Sequence, residues 1–322
     1  MAKNAKQTIN GKAFEYALLK EFFERLASIT KVSIVENEPF GTALKCFSSF
    51  NEKDQSHYSL VASFAVNFLI DLEPRLSYGI SSTDILQLEI VSDTKGQTGD
   101  VRDVIAIRSL QKWEIGVSAK NNHRAVKHSR LSKDIDFGEK WLEIPNSKVY
   151  FSEIEPIFSF LEDKKKNDKN VRWSSISNKS DNIYVPILNA FKKELEKLNN
   201  ENPEVVPERL VKYLIGSNDF YKIIKGKNKV EIHAFNIYGS LNESLGSKKP
   251  KAKVSKLKLP DRLIEVVFKN NSKTTLLITL NEGWQFSCRI HSAKSTIEAS
   301  LKFDINLVST PHSLFTNQLF VE

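Results

Sequence analysis

Cysteine is nearly absent from this chain. Cys46 and Cys288 stand far apart, with neither disulfide-type nor metal-type spacing. That excludes a disulfide scaffold and a cysteine-ligated zinc module, and it suits a reducing cytoplasm. No apolar run approaches the roughly 18–20 residues that a membrane span needs, and residues 1–6 carry no apolar signal core. The expectation is a soluble cytoplasmic protein without a membrane partner. Also missing are any internal repeat and any glycine-rich loop that could cradle a nucleotide phosphate.

What the chain does have is length, apolar content and positive charge. With 322 residues and 40% hydrophobic content it can bury a large core, as one enlarged domain or two. Its 47 Lys and Arg outnumber 39 Asp and Glu, for a formal net charge of +8. Anionic polymers are attracted to such a surface, and their binding should weaken with salt.

Chemistry concentrates in residues 99–120. Gly99-Asp100-Val101-Arg102-Asp103-Val104-Ile105-Ala106-Ile107 is followed by Trp113-Glu114-Ile115-Gly116-Val117-Ser118-Ala119-Lys120. Apolar residues alternate with others in both runs, which predicts half-buried neighbouring strands at about 102–108 and 113–120. Side chains two apart on a strand share a face, roughly 6–7 Å from each other. Ser118 and Lys120 are therefore expected on one face, and Val117 and Ala119 on the other, towards the core. Asp103 opens the first strand and Lys120 closes the second. Phosphodiester hydrolysis needs this pairing: oxygen ligands for a hard cation, Mg²⁺ above all, that polarises the phosphoryl group and supplies hydroxide, and a lysine that orients the water or neutralises developing charge. Asp100 is the competing or additional carboxylate.

This strand pair resembles the PD-(D/E)XK nuclease superfamily, whose signature places an aspartate at one strand start and a (D/E)-x-K tripeptide on the next. Ser118 stands where the signature has its second acid, and Glu114 lies four residues too early to replace it from the same strand end. Residues 9–26 read as an amphipathic helix with Asn10 as its cap and Phe14, Leu18, Phe22 and Leu26 as its apolar stripe. Glu15 lies beside that stripe. The resemblance implies that a first-helix glutamate helps to bind metal, giving a ligand set of Glu15, Asp103, Asp100 and the Ser118 or Ala119 backbone. Glu15, Asp100, Asp103 and Lys120 are then the expected catalytic residues. The other reading of Glu15 is a solvated helix glutamate.

Gly99–Val104 together with Glu114–Trp141 is similar to the HaeIII-like type II restriction endonucleases. That resemblance implies Mg²⁺-dependent hydrolysis of both strands of duplex DNA at a short specific sequence, GGCC. The segment behind Lys120 carries Asn121, Asn122, His123, Arg124, Lys127, His128 and Arg130, with no acid between 120 and 133. Such side chains suit phosphate oxygens and base edges. Arginine bidentate to guanine is the commonest base contact, so Arg124 and Arg130 lead, with Asn121 and Asn122 next. The alternative is a solvated basic loop entering a helix. His123 and His128 lack the i, i+4 spacing of a helical zinc pair, and no second His–Asn constellation follows Asn122-His123.

Ahead of these strands, a Val/Ile run at 31–35 precedes a Ser-rich polar passage at 47–56 and a helix at 53–72 that Pro74 stops; 86–91 alternates as a strand, from which Glu89 could face the site. Beyond the basic segment come a short helix at 136–142, a strand at 148–151 and a helix at 153–163. The predicted fold class is α/β, a PD-(D/E)XK-type mixed sheet flanked by helices over 1–163 with an insertion at 37–80. A helical linker region over 164–225 carries helices at 187–198 and 207–215. A β-rich region over 226–322, DNA-contacting in one reading, carries strands at 229–237, 262–269, 274–280, 284–290 and 297–307. Within it, 247–258 is the most basic stretch; an arm along DNA phosphates and a solvated linker both fit it. Trp284 and Phe286 share a strand face and are expected to pack rather than to stack on bases.

Two rival readings remain. One is a repair or structure-specific nuclease on the same core, indifferent to duplex sequence. The other is a non-catalytic DNA-binding protein whose Ser118 marks a decayed site. The sequence leaves monomer and dimer both open.

Overall fold

The structure, a computed structural model, describes residues 3–79, 83–92, 100–121 and 125–321. Along the chain run α1 (Lys3–Leu26), β1 (Lys31–Ile34), α2 (Glu38–Ser48), α3 (Glu52–Leu72), β2 (Ile85–Ile90), β3 (Val104–Arg108), β4 (Trp113–Asn121) and β5 (Ala125–Leu131). There follow α4 (Phe137–Leu142), α5 (Lys148–Asn167), α6 (Val185–Glu201), α7 (Val206–Ile215), β6 (Phe220–Lys225) and β7 (Lys229–Phe235). The chain then adds β8 (Leu263–Phe268), β9 (Thr275–Leu280), β10 (Gln285–His291), β11 (Leu301–Ser309) and β12 (Phe315–Phe320). Two compact units result, one from residues 1–124, 216–257 and 313–322, the other from 125–215 and 258–312.

The first unit holds a seven-stranded mixed sheet ordered β1-β2-β3-β4-β6-β7-β12. Strands β2, β3 and β4 are antiparallel neighbours, whereas β4 and β6 are parallel. Phe14, Leu18 and Phe22 of α1 and Val61, Ala65 and Leu69 of α3 recur at helical spacing and share a core with Leu86, Leu88, Ile90, Val117, Ala119 and Ile223. Each such Leu or Phe, taken fully out of water, contributes about 1.5–3 kcal/mol. Asn37 caps α2 by accepting the Phe40 N–H, and Asn51 caps α3 by accepting the Asp54 N–H.

The second unit holds a five-stranded antiparallel sheet ordered β5-β11-β10-β9-β8. Phe137 and Trp141 of α4, Tyr150 of α5, Phe191 of α6 and Phe303 of β11 form its aromatic core, with Phe137 and Phe191 centroids 4.5 Å apart. Trp284 and Phe286 are fully buried and stack on each other at 6.1 Å, so they pack the interior as expected.

The mixed α/β architecture agrees with the sequence reading, but several elements differ. Residues 148–151 are not a strand: Ser147 accepts the Tyr150 N–H as a helix cap, and Tyr150, Ile154, Phe158 and Leu161 make one buried helical stripe. The strand beside β4 is instead β6, contributed from far along the chain. Helix α1 starts at Lys3 and runs through Asn10, because Ala5, Lys6 and Gln7 are strong helix formers. The polar passage hides the end of α2. The basic segment becomes an edge strand, β5, rather than a loop entering a helix. The expected boundaries at 163 and 225 fall inside α5 and at the end of β6, neither of which is a passage between units. Among the described residues no helix is long and apolar enough to cross a membrane.

Candidate active site

Asp103 sits one residue ahead of β3, and its backbone stays in the sheet. Its N–H donates to the Val117 carbonyl at 2.8 Å, and its carbonyl accepts the Val91 N–H at 2.9 Å. With the main chain held from both sides, the carboxylate lies against the end of β4. Three donors converge on its Oδ2: the Ala119 N–H at 2.7 Å, Lys120 Nζ at 3.0 Å and the Ser118 hydroxyl at 3.3 Å. Bonds to an ionised oxygen are about twice as strong as neutral ones, so this carboxylate is firmly placed. Val117 and Ala119 are buried in the core, which leaves Ser118 and Lys120 on the opposite face, as the alternation predicts. Ser118, standing where the signature has its second acid, acts as a donor to the first.

Glu15 comes from the middle of α1. The stripe of Phe14, Ala17 and Leu18 presses the helix onto the sheet, and Glu15 is carried under cover with it, only 6% exposed. Lys12, one turn earlier, donates to its Oε2 at 3.0 Å. Burial, then the negative charge of Asp103, pushes the Glu15 carboxyl up to about 7, against the pull of Lys12 and Lys120. Glu15, Asp103 and Lys120 thus feel one another's charge.

The donor set suits a hard cation. Ala119 presents its N–H to Asp103, and in a strand a residue's N–H and C=O point to the same side, so its carbonyl faces the Asp103 edge too. Two carboxylates and a main-chain carbonyl are oxygen ligands of the kind that Mg²⁺ prefers. A cation bound by both acids would relieve the repulsion and burial that raise Glu15. Among the described residues no group of three or more His, Cys, Asp or Glu side chains forms a metal cluster.

Asp100 is placed differently. Arg102 grips both of its oxygens, Nε to Oδ1 and Nη2 to Oδ2, each at 2.8 Å. The same guanidinium takes Glu114 through Nη1, and the Arg102 N–H donates to Asp100 Oδ1 at 3.1 Å. Both acids that flank the motif are therefore engaged by one arginine.

Residues 11–311 match the HaeIII restriction endonuclease family. The type II restriction enzyme HaeIII of Haemophilus aegyptius is 40% identical over 311 residues, which is 96% of each chain. The chain belongs to the HaeIII restriction endonuclease family. No solved structure matches it.

For a restriction endonuclease the basic segment after Lys120 is the next concern. Asn121, half-buried at the end of β4, donates through Nδ2 to the Tyr58 hydroxyl at 3.4 Å. Asn122, His123 and Arg124 lie outside the described residues, and His128 is described only as a backbone position of β5 opposite Asp304. Lys127 is turned inward: its Nζ donates to the Tyr213 carbonyl at 2.7 Å and lies 3.5 Å from that ring's centroid, and burial pulls its pKa down to about 8. Arg130 is exposed, with Ser300 Oγ at 2.7 Å and Glu298 at 3.6 Å as its partners.

Three further residues of this region escape the sequence reading. Lys12 is legible, since it precedes Glu15 by three residues within a helix. Arg102 is signalled by Gly116, a glycine inside a strand, which marks a close approach by another group. Lys222 has no local signal: it is buried, and the β4–β6 register sets it opposite Ser118, on the face that carries Lys120.

Proposed function

We propose that this restriction endonuclease is a Mg²⁺-dependent enzyme of PD-(D/E)XK type that acts in the cytoplasm and cuts both strands of duplex DNA at a short sequence, GGCC by family resemblance. The observation that carries the reading is the convergence of Lys120 and the Ala119 N–H on Asp103, with the buried Glu15 close enough to feel the charge of the same carboxylate. Asp103 and Glu15 would hold the metal, with the Ala119 carbonyl as a further ligand. A Mg²⁺ ion held there would supply Lewis-acid polarisation of the phosphoryl group and acidify the attacking water. Lys120, anchored at 3.0 Å to Asp103, orients the attacking water or neutralises charge on the pentacovalent phosphorane. Asp100 acts through Arg102, holding the turn that delivers Asp103. Asn121, Asn122, His123, Arg124, His128 and Arg130 are the proposed DNA contacts, the arginines reading guanines; Lys127 contributes by fixing β5 to α7.

The test is plasmid digestion with and without Mg²⁺, using wild type, Asp103→Ala and Lys120→Ala. Discrete bands from wild type alone support the reading, and wild-type rates in either variant overturn the residue assignment. A wild type that smears plasmid indicates a nuclease indifferent to sequence. One that retards duplex DNA yet never cuts indicates a decayed site.

A further inference from the structure

The most basic stretch of the chain is neither a free arm nor a slack linker. Residues 247–257 lie within the first unit, and two asparagines stitch the chain there to the end of α3 and the end of β7. Asn242, at φ +64 in the left-handed region that Asn tolerates, donates through Nδ2 to the carbonyls of Leu72 and Ala252 at 2.8 and 3.0 Å. Its Oδ1 accepts the Val254 N–H at 2.8 Å, and its own N–H donates to Glu73 at 2.8 Å. Asn236 donates to the Val254 carbonyl at 3.4 Å and accepts the Leu241 N–H at 3.1 Å, while its carbonyl accepts the Leu257 N–H at 2.8 Å. The Lys251 N–H donates to the Asp71 carbonyl at 2.9 Å. Val254 and Leu257 are buried and Ala252 is partly so; the lysines of the same stretch, at 248, 249, 251, 253 and 256, are exposed.

Only Lys251 of these five has a carboxylate partner among the described residues, Asp71 at 2.8 Å. Lys248, Lys249, Lys253 and Lys256 have none there within ion-pair distance. Holding four unneutralised cations on a short pinned segment costs self-repulsion that a loose tail would relax. The buried Asn236, the half-buried Asn242 and two apolar anchors nevertheless fix it. A main chain organised in advance loses little conformational freedom when it binds, so lysines carried on a pinned strap are suited to a fixed row of anions.

From this geometry we infer that the 248–256 strap is a phosphate-tracking surface for the backbone of duplex DNA, adding affinity without reading sequence. The inference rests on the endonuclease reading and names a part of its DNA-binding surface. A lysine that pairs with a phosphate displaces a counterion, so its removal flattens the salt dependence of binding, by about 0.9 in log–log slope for each phosphate left without its lysine.

The experiment compares wild type with the quadruple variant Lys248→Gln, Lys249→Gln, Lys253→Gln, Lys256→Gln on 30-bp duplexes with and without the target sequence. It is run in metal-free buffer between about 50 and 200 mM salt. All four positions are exposed, and an unchanged melting temperature checks the fold. The expected result is a slope lower by about 2–4 and a loss of affinity that is equal on both duplexes. A wild-type slope in the variant overturns the inference, as does a loss confined to the target duplex. A wild type that binds neither duplex removes the endonuclease reading and the strap's role with it, which keeps the two failures distinct. Trypsin supplies the second readout: a pinned strap resists cleavage at Lys251 and Lys253 in the folded protein, and rapid cutting there marks a free arm.

Discussion

The Cδ of Arg102 lies 1.9 Å from where a Cβ on Gly116 would stand. The arginine crosses β4 at the one position without a side chain, and from there its guanidinium reaches Asp100 on one side and Glu114 on the other. The turn 100–103 is thereby held against β4, and Asp103 is delivered to Ala119 and Lys120.

Gly116→Ala should therefore damage catalysis without touching a reacting group. Displacing Arg102 shifts the turn, and a misplacement of about 1 Å in a catalytic constellation costs up to about a hundredfold in rate. Half-saturating Mg²⁺ should rise as cleavage slows, with the DNA KM little changed. Metal-dependence curves beside a melting curve check it; wild-type metal dependence would show that Arg102 is packing alone.

Metal affinity should fall with acidity. Glu15 in the metal-free protein titrates at about 7 because it is buried beside Asp103, and a cation binds the ionised form. Below that pH, affinity should drop by about tenfold per unit; above it, affinity should level off. Calorimetric Mn²⁺ titrations from about pH 5.5 to 8 measure this. Glu15→Gln should bind weakly at every pH with the slope gone, and an unaltered profile in that variant would point to a different acid.

Glu73 governs a separate dependence, of stability rather than activity. Burial lifts its carboxyl from 4.5 to about 7, although the Tyr221 hydroxyl at 2.6 Å and the Asn242 N–H at 2.8 Å both donate to it. Its pKa is raised in the fold, so the unfolded chain releases the proton first, and stability falls as pH climbs from 4.5 through about 7. The loss is of order 3 kcal/mol. Glu73→Gln retains an acceptor oxygen for both donors and should abolish that slope, leaving the variant more stable than wild type near pH 8. Urea unfolding at several pH values decides it.

Arg130→Ala should weaken the target duplex by about 1–3 kcal/mol and spare random duplex if its guanidinium reads a guanine. Competition binding at fixed salt reports the ratio, and an unchanged ratio removes Arg130 from the reading surface.

Strands β3 and β4 were legible because they are local: alternation places Val117 and Ala119 inward and Ser118 and Lys120 outward, and a helical stripe fixes α1. Tyr150 shows where that signal ends. Val149, Tyr150 and Phe151 favour strands by type, yet Ser147 caps a helix there, and the decisive pattern is the stripe reaching Leu161. The role of Asp100 was not legible, since a carboxylate beside a strand start looks alike whether it meets a metal or an arginine. The β4–β6 pairing joins residues about a hundred positions apart, and no local pattern encodes such a neighbour.

The chain passes between its two units at 124/125, 215/216, 257/258 and 312/313. Neither unit is a contiguous stretch of sequence, so neither can be cut out as a fragment. On the ribosome, β4 emerges with Lys120 well before β6 exists, and one edge of the strand that bears Lys120 waits while residues 125–215 are made. The nuclease is thus assembled late in its own synthesis, and a truncated chain that stops before residue 220 carries the motif without the sheet that would arm it.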